Sequence, residues 1–178
     1  SEAERVREIL KDAEKKIRDI LRRLREINRE SARRIEDIKR KLDEILKRNE
    51  DDVRRLEKDG ADKEILKRAL ERAEKSVREL RDILKKVLDE SSRLVKELEK
   101  ILRDLLDEVR RLVEEVEKRG DGVEDAERTV RELIKRVEEA LERAERASRE
   151  LIKTVEKVLE EVERRNRKSN EELKEATR

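Results

Sequence analysis

The side chains of this chain that could do chemistry are carboxylates, lysines and hydroxyls, because the sequence contains no His, Cys or Tyr. A carboxylate or lysine acts in catalysis when a neighbouring group changes its affinity for a proton. The acidic pairs Asp51-Asp52 and Glu160-Glu161 are adjacent in sequence, so on a helix the two side chains of each pair point about 100° apart. With 57% of the residues charged, every carboxylate also belongs to a solvated, mixed-charge surface. We therefore expect no enzyme and no catalytic residue.

Metal-binding and nucleotide-binding motifs do not occur in the sequence. Carboxylate metal sites in helical bundles use a Glu-x-x-His motif, which requires a His that this chain lacks. There is no Asp-rich calcium loop, and the three glycines do not form a phosphate-binding loop. We expect neither a metal nor another cofactor.

A basic stretch in the first third of the chain is the strongest candidate for nucleic-acid binding; it contains Arg18, Arg22, Arg25, Arg29 and Arg33. Acidic residues are interleaved with these arginines, and the chain has no aromatic side chain on which a base could stack. A solvated helix face has the same pattern, and a net charge of +2 gives no overall attraction to a polyanion. We expect no nucleic-acid partner.

Apolar residues never occur more than two in a row, so the sequence predicts no transmembrane helix and no signal peptide. The absence of Cys removes disulfides and any redox signal. We expect a soluble chain that is cytoplasmic on recombinant expression and has no membrane partner.

Three glycines divide the chain into helical segments, because Gly60 ends the first and Gly120 and Gly122 separate the second from the third. Apolar or small residues recur about every 3.57 residues, between the 3.5 of a left-handed coiled coil and the 3.6 of a straight helix. The predicted helices span about 2–58, 62–118 and 123–175, with loops at 59–61 and 119–122. Since such short loops make successive helices antiparallel, we predict an all-α fold. Residues 1–178 should form a single, elongated, up-down-up three-helix bundle with nearly straight, coiled-coil-like helices.

Asn and Ser interrupt the apolar stripes at matched heights along the three helices. A first predicted layer contains Asn28, Ser31, Ser91, Ser92 and Ser148. A second, nearer the first loop, contains Asn49, Ser76, Asn166, Ser169 and Asn170. Their donors and acceptors could close interhelical networks, so we predict two buried hydrogen-bond layers that fix the helix register. The alternative is that each residue lies at the edge of its stripe and faces water.

Charge distribution predicts which helices attract each other. Residues 15–41 are rich in Lys and Arg, whereas residues 137–163 are rich in Glu and should lie level with them. This pattern favours packing of the first helix beside the third, although each exposed ion pair contributes only about 0–1 kcal/mol.

The second helix carries more apolar residues than the other two, mostly as adjacent pairs such as Ile83-Leu84 and Ile101-Leu102. A wide core face would explain this excess. The alternative is a strip left over for self-association or for a helical protein partner. That strip would consist of Leu84, Leu88, Val95, Leu102, Leu106 and Val113.

The whole chain resembles computationally (de novo) designed helical bundles with buried hydrogen-bond networks. The resemblance rests on an alphabet of twelve amino acids, three segments of nearly equal length, Asp-Gly loops and polar residues at matched heights. Spectrin-like repeats share the outline, but they normally carry core aromatic residues. The resemblance to designed bundles implies a hyperstable scaffold that requires no partner and has no natural biochemical function or location. A protein-binding module or homo-oligomer is the alternative.

Overall fold

A computed structural model of the chain describes residues 1–177, which form an all-α three-helix bundle that is 95% helical. Helix α1 spans Glu2–Lys58, α2 spans Lys63–Arg119 and α3 spans Val123–Ala176. The predicted all-α three-helix fold is confirmed, and the helix ends lie within one residue of the predicted bounds. The match follows from composition, since helix formers fill the segments and glycines interrupt them only at the loops.

The turn between α1 and α2 has the hydrogen bonds of a Schellman motif. The Gly60 N–H donates to the Glu57 carbonyl at 3.1 Å, and the Ala61 N–H donates to the Leu56 carbonyl at 3.0 Å. Gly60 has a φ of 92°, in the left-handed region that side chains with a Cβ disfavour. Asp62 then caps α2, because its Oδ1 accepts the Glu64 N–H at 2.9 Å.

We predict that Gly60→Ala lowers the free energy of unfolding by about 1 kcal/mol. The cost is conformational only, because a Cβ at Gly60 would have no neighbouring atom within 4 Å. Urea unfolding followed by circular dichroism measures it, with Gly60→Asn as the control, because Asn tolerates this conformation better. If Gly60→Ala equals the parent chain in stability, the left-handed turn is not required.

Contacts group the described residues into two compact units, each with a segment from every helix. The first unit combines Ser1–Glu30 with Ser91–Arg149; the second combines Ser31–Glu90 with the chain from Glu150 onward. In the first unit Ile17 and Leu24 of α1 pack with Leu102 of α2, and α3 residues such as Leu141 pack against this cluster. In the second unit the core cluster includes Leu42, Leu84 and Leu159, one from each helix. Each unit therefore has an apolar core to which all three helices contribute.

Ion pairs connect α1 to both of its neighbours. In the first unit Arg23 pairs with Glu145 of α3 at 3.0 Å, and Arg25 pairs with Glu99 of α2 at 3.1 Å. In the second unit Arg34 pairs with Glu156 of α3 at 2.8 Å. The Arg23 and Arg34 pairs join the basic part of α1 to the acidic part of α3, as the charge pattern predicts.

The six residues predicted as a partner strip belong to the cores instead. Leu84, Leu102 and Val113 are buried, and Leu88, Val95 and Leu106 pack against core residues of their own unit. The alternative of a free strip is therefore wrong for these six residues, and in three of the adjacent apolar pairs the exposed member is the other residue. Ile83, Leu94 and Ile101 are the exposed neighbours of Leu84, Val95 and Leu102. Successive residues point about 100° apart, so in these three pairs one member faces the core and the other faces water.

Candidate functional site: a buried asparagine cluster

The polar side chain most completely removed from water is Asn49 of α1. It is 2% exposed and is the only fully buried polar or charged residue among residues 1–177. The helical repeat places it on the apolar stripe of α1, one turn after the buried Ile45 and one turn before the half-buried Val53. A side chain with two donors and an acceptor at such a position requires polar partners from a neighbouring helix.

Those partners come from α3, where Asn166 and Asn170 lie one turn apart. The Asn49 Nδ2 donates to Asn166 Oδ1 at 2.8 Å, and the Asn166 Nδ2 donates to Asn49 Oδ1 at 2.9 Å. The Asn170 Nδ2 also donates to Asn49 Oδ1, at 2.9 Å. Asn49 thus forms a reciprocal amide pair with one residue and accepts a further hydrogen bond from another. We call these three residues the asparagine cluster.

Each buried polar atom of the cluster has at least one hydrogen-bond partner. Asn49 Oδ1 accepts two hydrogen bonds and so uses both of its lone pairs, and Asn166 and Asn170 are half-buried at the edge of the core. Within residues 1–177 no buried side-chain nitrogen or oxygen lacks a hydrogen-bond partner. Each bond contributes about 0.5–1.5 kcal/mol, and an unsatisfied amide costs about 1–3 kcal/mol. The arrangement is therefore sensitive to the loss of any one member.

Two other residues predicted for this layer lie nearby but outside the core. Ser76 of α2 and Ser169 of α3 line the same open groove as Asn166, and both are exposed. Their predicted burial is wrong because Ser76 precedes the buried Val77 by one residue and Ser169 precedes Asn170 by one. That single step turns each hydroxyl about 100° away from the centre of the core.

The first predicted layer is less buried than the asparagine cluster. Asn28, Ser31, Ser91 and Ser148 are half-buried, and Ser92 is exposed, so its predicted burial is wrong for the reason that applies to Ser76. Ser31 and Ser148 each take part in a polar interaction. The boundaries of the two compact units fall beside these positions in all three helices. Where Ser replaces Ile or Leu, each helix has less apolar surface to bury.

An apolar groove in the first unit was not predicted from the sequence. Its floor includes Ile20 and Leu24 of α1, and its walls are α2 and α3. Ile101, 57% exposed, and Leu98, 36% exposed, form much of the α2 wall. The adjacent apolar pairs of α2 indicated that this helix has apolar residues beyond a narrow stripe. They did not indicate which member of a pair faces outward, because that depends on the positions of α1 and α3.

Within residues 1–177 there is no cluster of three or more acidic side chains arranged to hold a metal ion. Over the same range, no helix has an apolar stretch long enough to cross a membrane. Comparison of the chain with protein-family models, with curated proteins and with solved structures finds no match.

Proposed function

We propose that this chain is a designed, non-enzymatic scaffold in which the asparagine cluster specifies how α1 packs against α3. The observation that carries the proposal is the burial of Asn49 together with its three hydrogen bonds to Asn166 and Asn170. For stability alone, an apolar residue at position 49 would suffice, because it needs no hydrogen-bond partner when it is buried. A polar residue in an apolar seam is typical of positions that select one register at some cost in stability.

The geometry supports this role because only one register keeps all three bonds. A shift of α3 by one helical turn moves its residues about 5.4 Å along α1. In one direction the shift would bring Val162 towards Asn49, and in the other Leu173. A shift in either direction replaces a hydrogen-bonding partner of Asn49 with an apolar side chain. It leaves a buried amide unsatisfied, which costs about 1–3 kcal/mol. Apolar side chains alone would penalise such a shift less sharply, since Ile, Leu and Val can exchange with one another.

The composition supports design and high stability as parts of the same proposal. The twelve-letter alphabet contains strong helix formers, with glycine confined to the two loop regions. Cys and His, which provide thiol and imidazole chemistry, do not occur in it. These choices match the rules by which helical bundles are designed, namely capped helices, a patterned core and a polar network that selects one packing.

Replacing the cluster with apolar residues tests the proposed role. We predict that the triple variant Asn49→Leu, Asn166→Leu and Asn170→Leu keeps its helical circular dichroism but loses its single packing arrangement. The measurement is a two-dimensional ¹H–¹⁵N correlation spectrum, which should show broadened or multiple amide signals for residues near position 49. The parent chain and Asn28→Leu, a matched change at a half-buried Asn of α1, should each give one set of sharp signals. One sharp set from the triple variant would show that apolar packing alone selects the register.

A further inference from the structure

The groove between α2 and α3 in the first unit is lined almost entirely by apolar side chains, and the asparagine cluster does not explain it. It encloses about 200 Å³, and apolar residues of all three helices line it. On the α2 wall Ile101 is 57% exposed, although Leu102 beside it is buried. On the α3 wall Ala140 and Ala144 are small, so another backbone could approach closely. A soluble chain gains nothing in stability from a large apolar side chain held in water.

The edges of this groove carry opposite charges. Glu97, Asp104 and Glu108 of α2 lie one or two turns from Ile101 and are exposed. Arg136 and Arg143 of α3 lie one turn either side of Ala140 and are also exposed. Within residues 1–177 these five side chains form no ion pair, whereas Arg25–Glu99 and Arg23–Glu145 connect α1 to α2 and α3 in the same unit. The groove therefore has an acidic edge and a basic edge, both available to a partner.

We propose that this groove binds one amphipathic α-helix of a partner protein. The apolar face of that helix lies against Leu98, Ile101 and Ala140. Its edge beside α2 carries Lys or Arg, and its edge beside α3 carries Asp or Glu. Two parallel walls with an apolar floor match the convex apolar face of a helix, which is a recurring mode of recognition.

The opposite charges of the two edges also set the direction of the partner helix. Turning a helix end for end in the groove exchanges its two edges. A partner helix with one basic and one acidic edge therefore places opposite charges against both edges of the groove in only one direction. Like charges brought together in the other direction oppose binding.

Other occupants fit these features less well. A second copy of the chain would present its own concave α2–α3 face, and two concave faces leave unfilled space where they meet. A polyanion or an anionic membrane would be attracted to Arg136 and Arg143 but repelled by the acidic edge. The shape therefore favours a single helix over a second copy, and the mixed charges disfavour a polyanion or an anionic membrane.

Three synthetic peptides test the proposal with the full chain. Each is an amphipathic helix of about four heptads with Leu at the core positions, labelled for fluorescence anisotropy. The first has Lys along one edge and Glu along the other, the second has Lys on both edges, and the third has Glu on both. We expect the first peptide to bind at least about tenfold more tightly than either of the others at low salt, with the difference shrinking as salt is added.

Matched substitutions locate the site. Ile101→Glu should weaken binding of the first peptide at least about tenfold, because it places a charge on the apolar wall. Ile65→Glu is the control: Ile65 is 49% exposed on the same helix but does not line the groove, so binding should be unchanged. Circular dichroism checks that both variants remain folded.

Three results would overturn the proposal. One is the absence of measurable binding by all three peptides, and another is an equal effect of the two substitutions. The third is a concentration-dependent increase in mass by light scattering that Ile101→Glu abolishes, because a second copy would then occupy the groove.

Discussion

Leu84→Ala should lower the free energy of unfolding by about 2–5 kcal/mol, the largest effect expected from a single substitution in this chain. Leu84 is 0% exposed and belongs to the core cluster of the second unit with Leu42 and Leu159. Truncating it removes apolar contacts with both neighbouring helices and leaves a cavity that long, regular helices cannot readily close. Urea unfolding of the full chain, followed by circular dichroism, measures the loss.

Ile83→Ala is the matched control, since Ile83 is adjacent in sequence but 56% exposed. Its truncation should change stability by no more than about 0.5 kcal/mol, because the side chain is largely in water and Ala favours the helix. The pair tests which face of α2 is buried. Equal losses, or a larger loss at Ile83, would contradict the assignment of Leu84 to the core.

Asn49→Leu should lower the free energy of unfolding by about 1–3 kcal/mol, although it replaces a polar residue with an apolar one. Leu removes the acceptor for the Asn166 and Asn170 amides and the donor to Asn166 Oδ1. The apolar gain is limited because the new side chain would pack against these two amides. Asn28→Leu should have a smaller effect, since Asn28 is only half-buried and lies outside the asparagine cluster. A stability for Asn49→Leu equal to or above that of the parent chain would contradict the role of the hydrogen bonds.

The sequence was sufficient to predict the helices and their ends because local chemistry determines them. Gly60 adopts a positive φ and Asp62 caps α2, and both signals can be identified without knowledge of the neighbouring helices. The apolar repeat likewise indicates which broad face of each helix is buried. These features depend on positions a few residues apart.

The exact angle at which each helix faces its neighbours could not be predicted in the same way. Ile83 and Leu84 are both apolar, and only the positions of α1 and α3 determine that Leu84 faces inward. Ser76 was expected in the buried layer from its height along α2, but a rotation of one residue leaves it exposed. Height along a bundle follows from loop length, whereas rotation about a helix axis depends on how the whole core packs.

Asn49 was the more tractable case because it lies on the stripe itself, with Ile45 and Val53 a turn away on either side. A residue at the middle of the stripe faces the core over a range of rotations of the helix about its axis. An error of some tens of degrees in the predicted rotation therefore does not place it in water. Its partners Asn166 and Asn170 could be anticipated because both recur on the stripe of α3 near the level of Asn49. Which amide donates to which depends on the interhelical geometry.

The most direct test of the proposed scaffold is the difference in unfolding free energy between Asn49→Leu and the triple variant with Leu at positions 49, 166 and 170. If the three asparagines satisfy one another, replacing the remaining two should restore the stability that the single change removes. We predict a triple variant more stable than Asn49→Leu by at least about 1 kcal/mol, because no unpaired amide is left in the core. A triple variant less stable than the single one, with losses that add from one substitution to the next, would contradict the account.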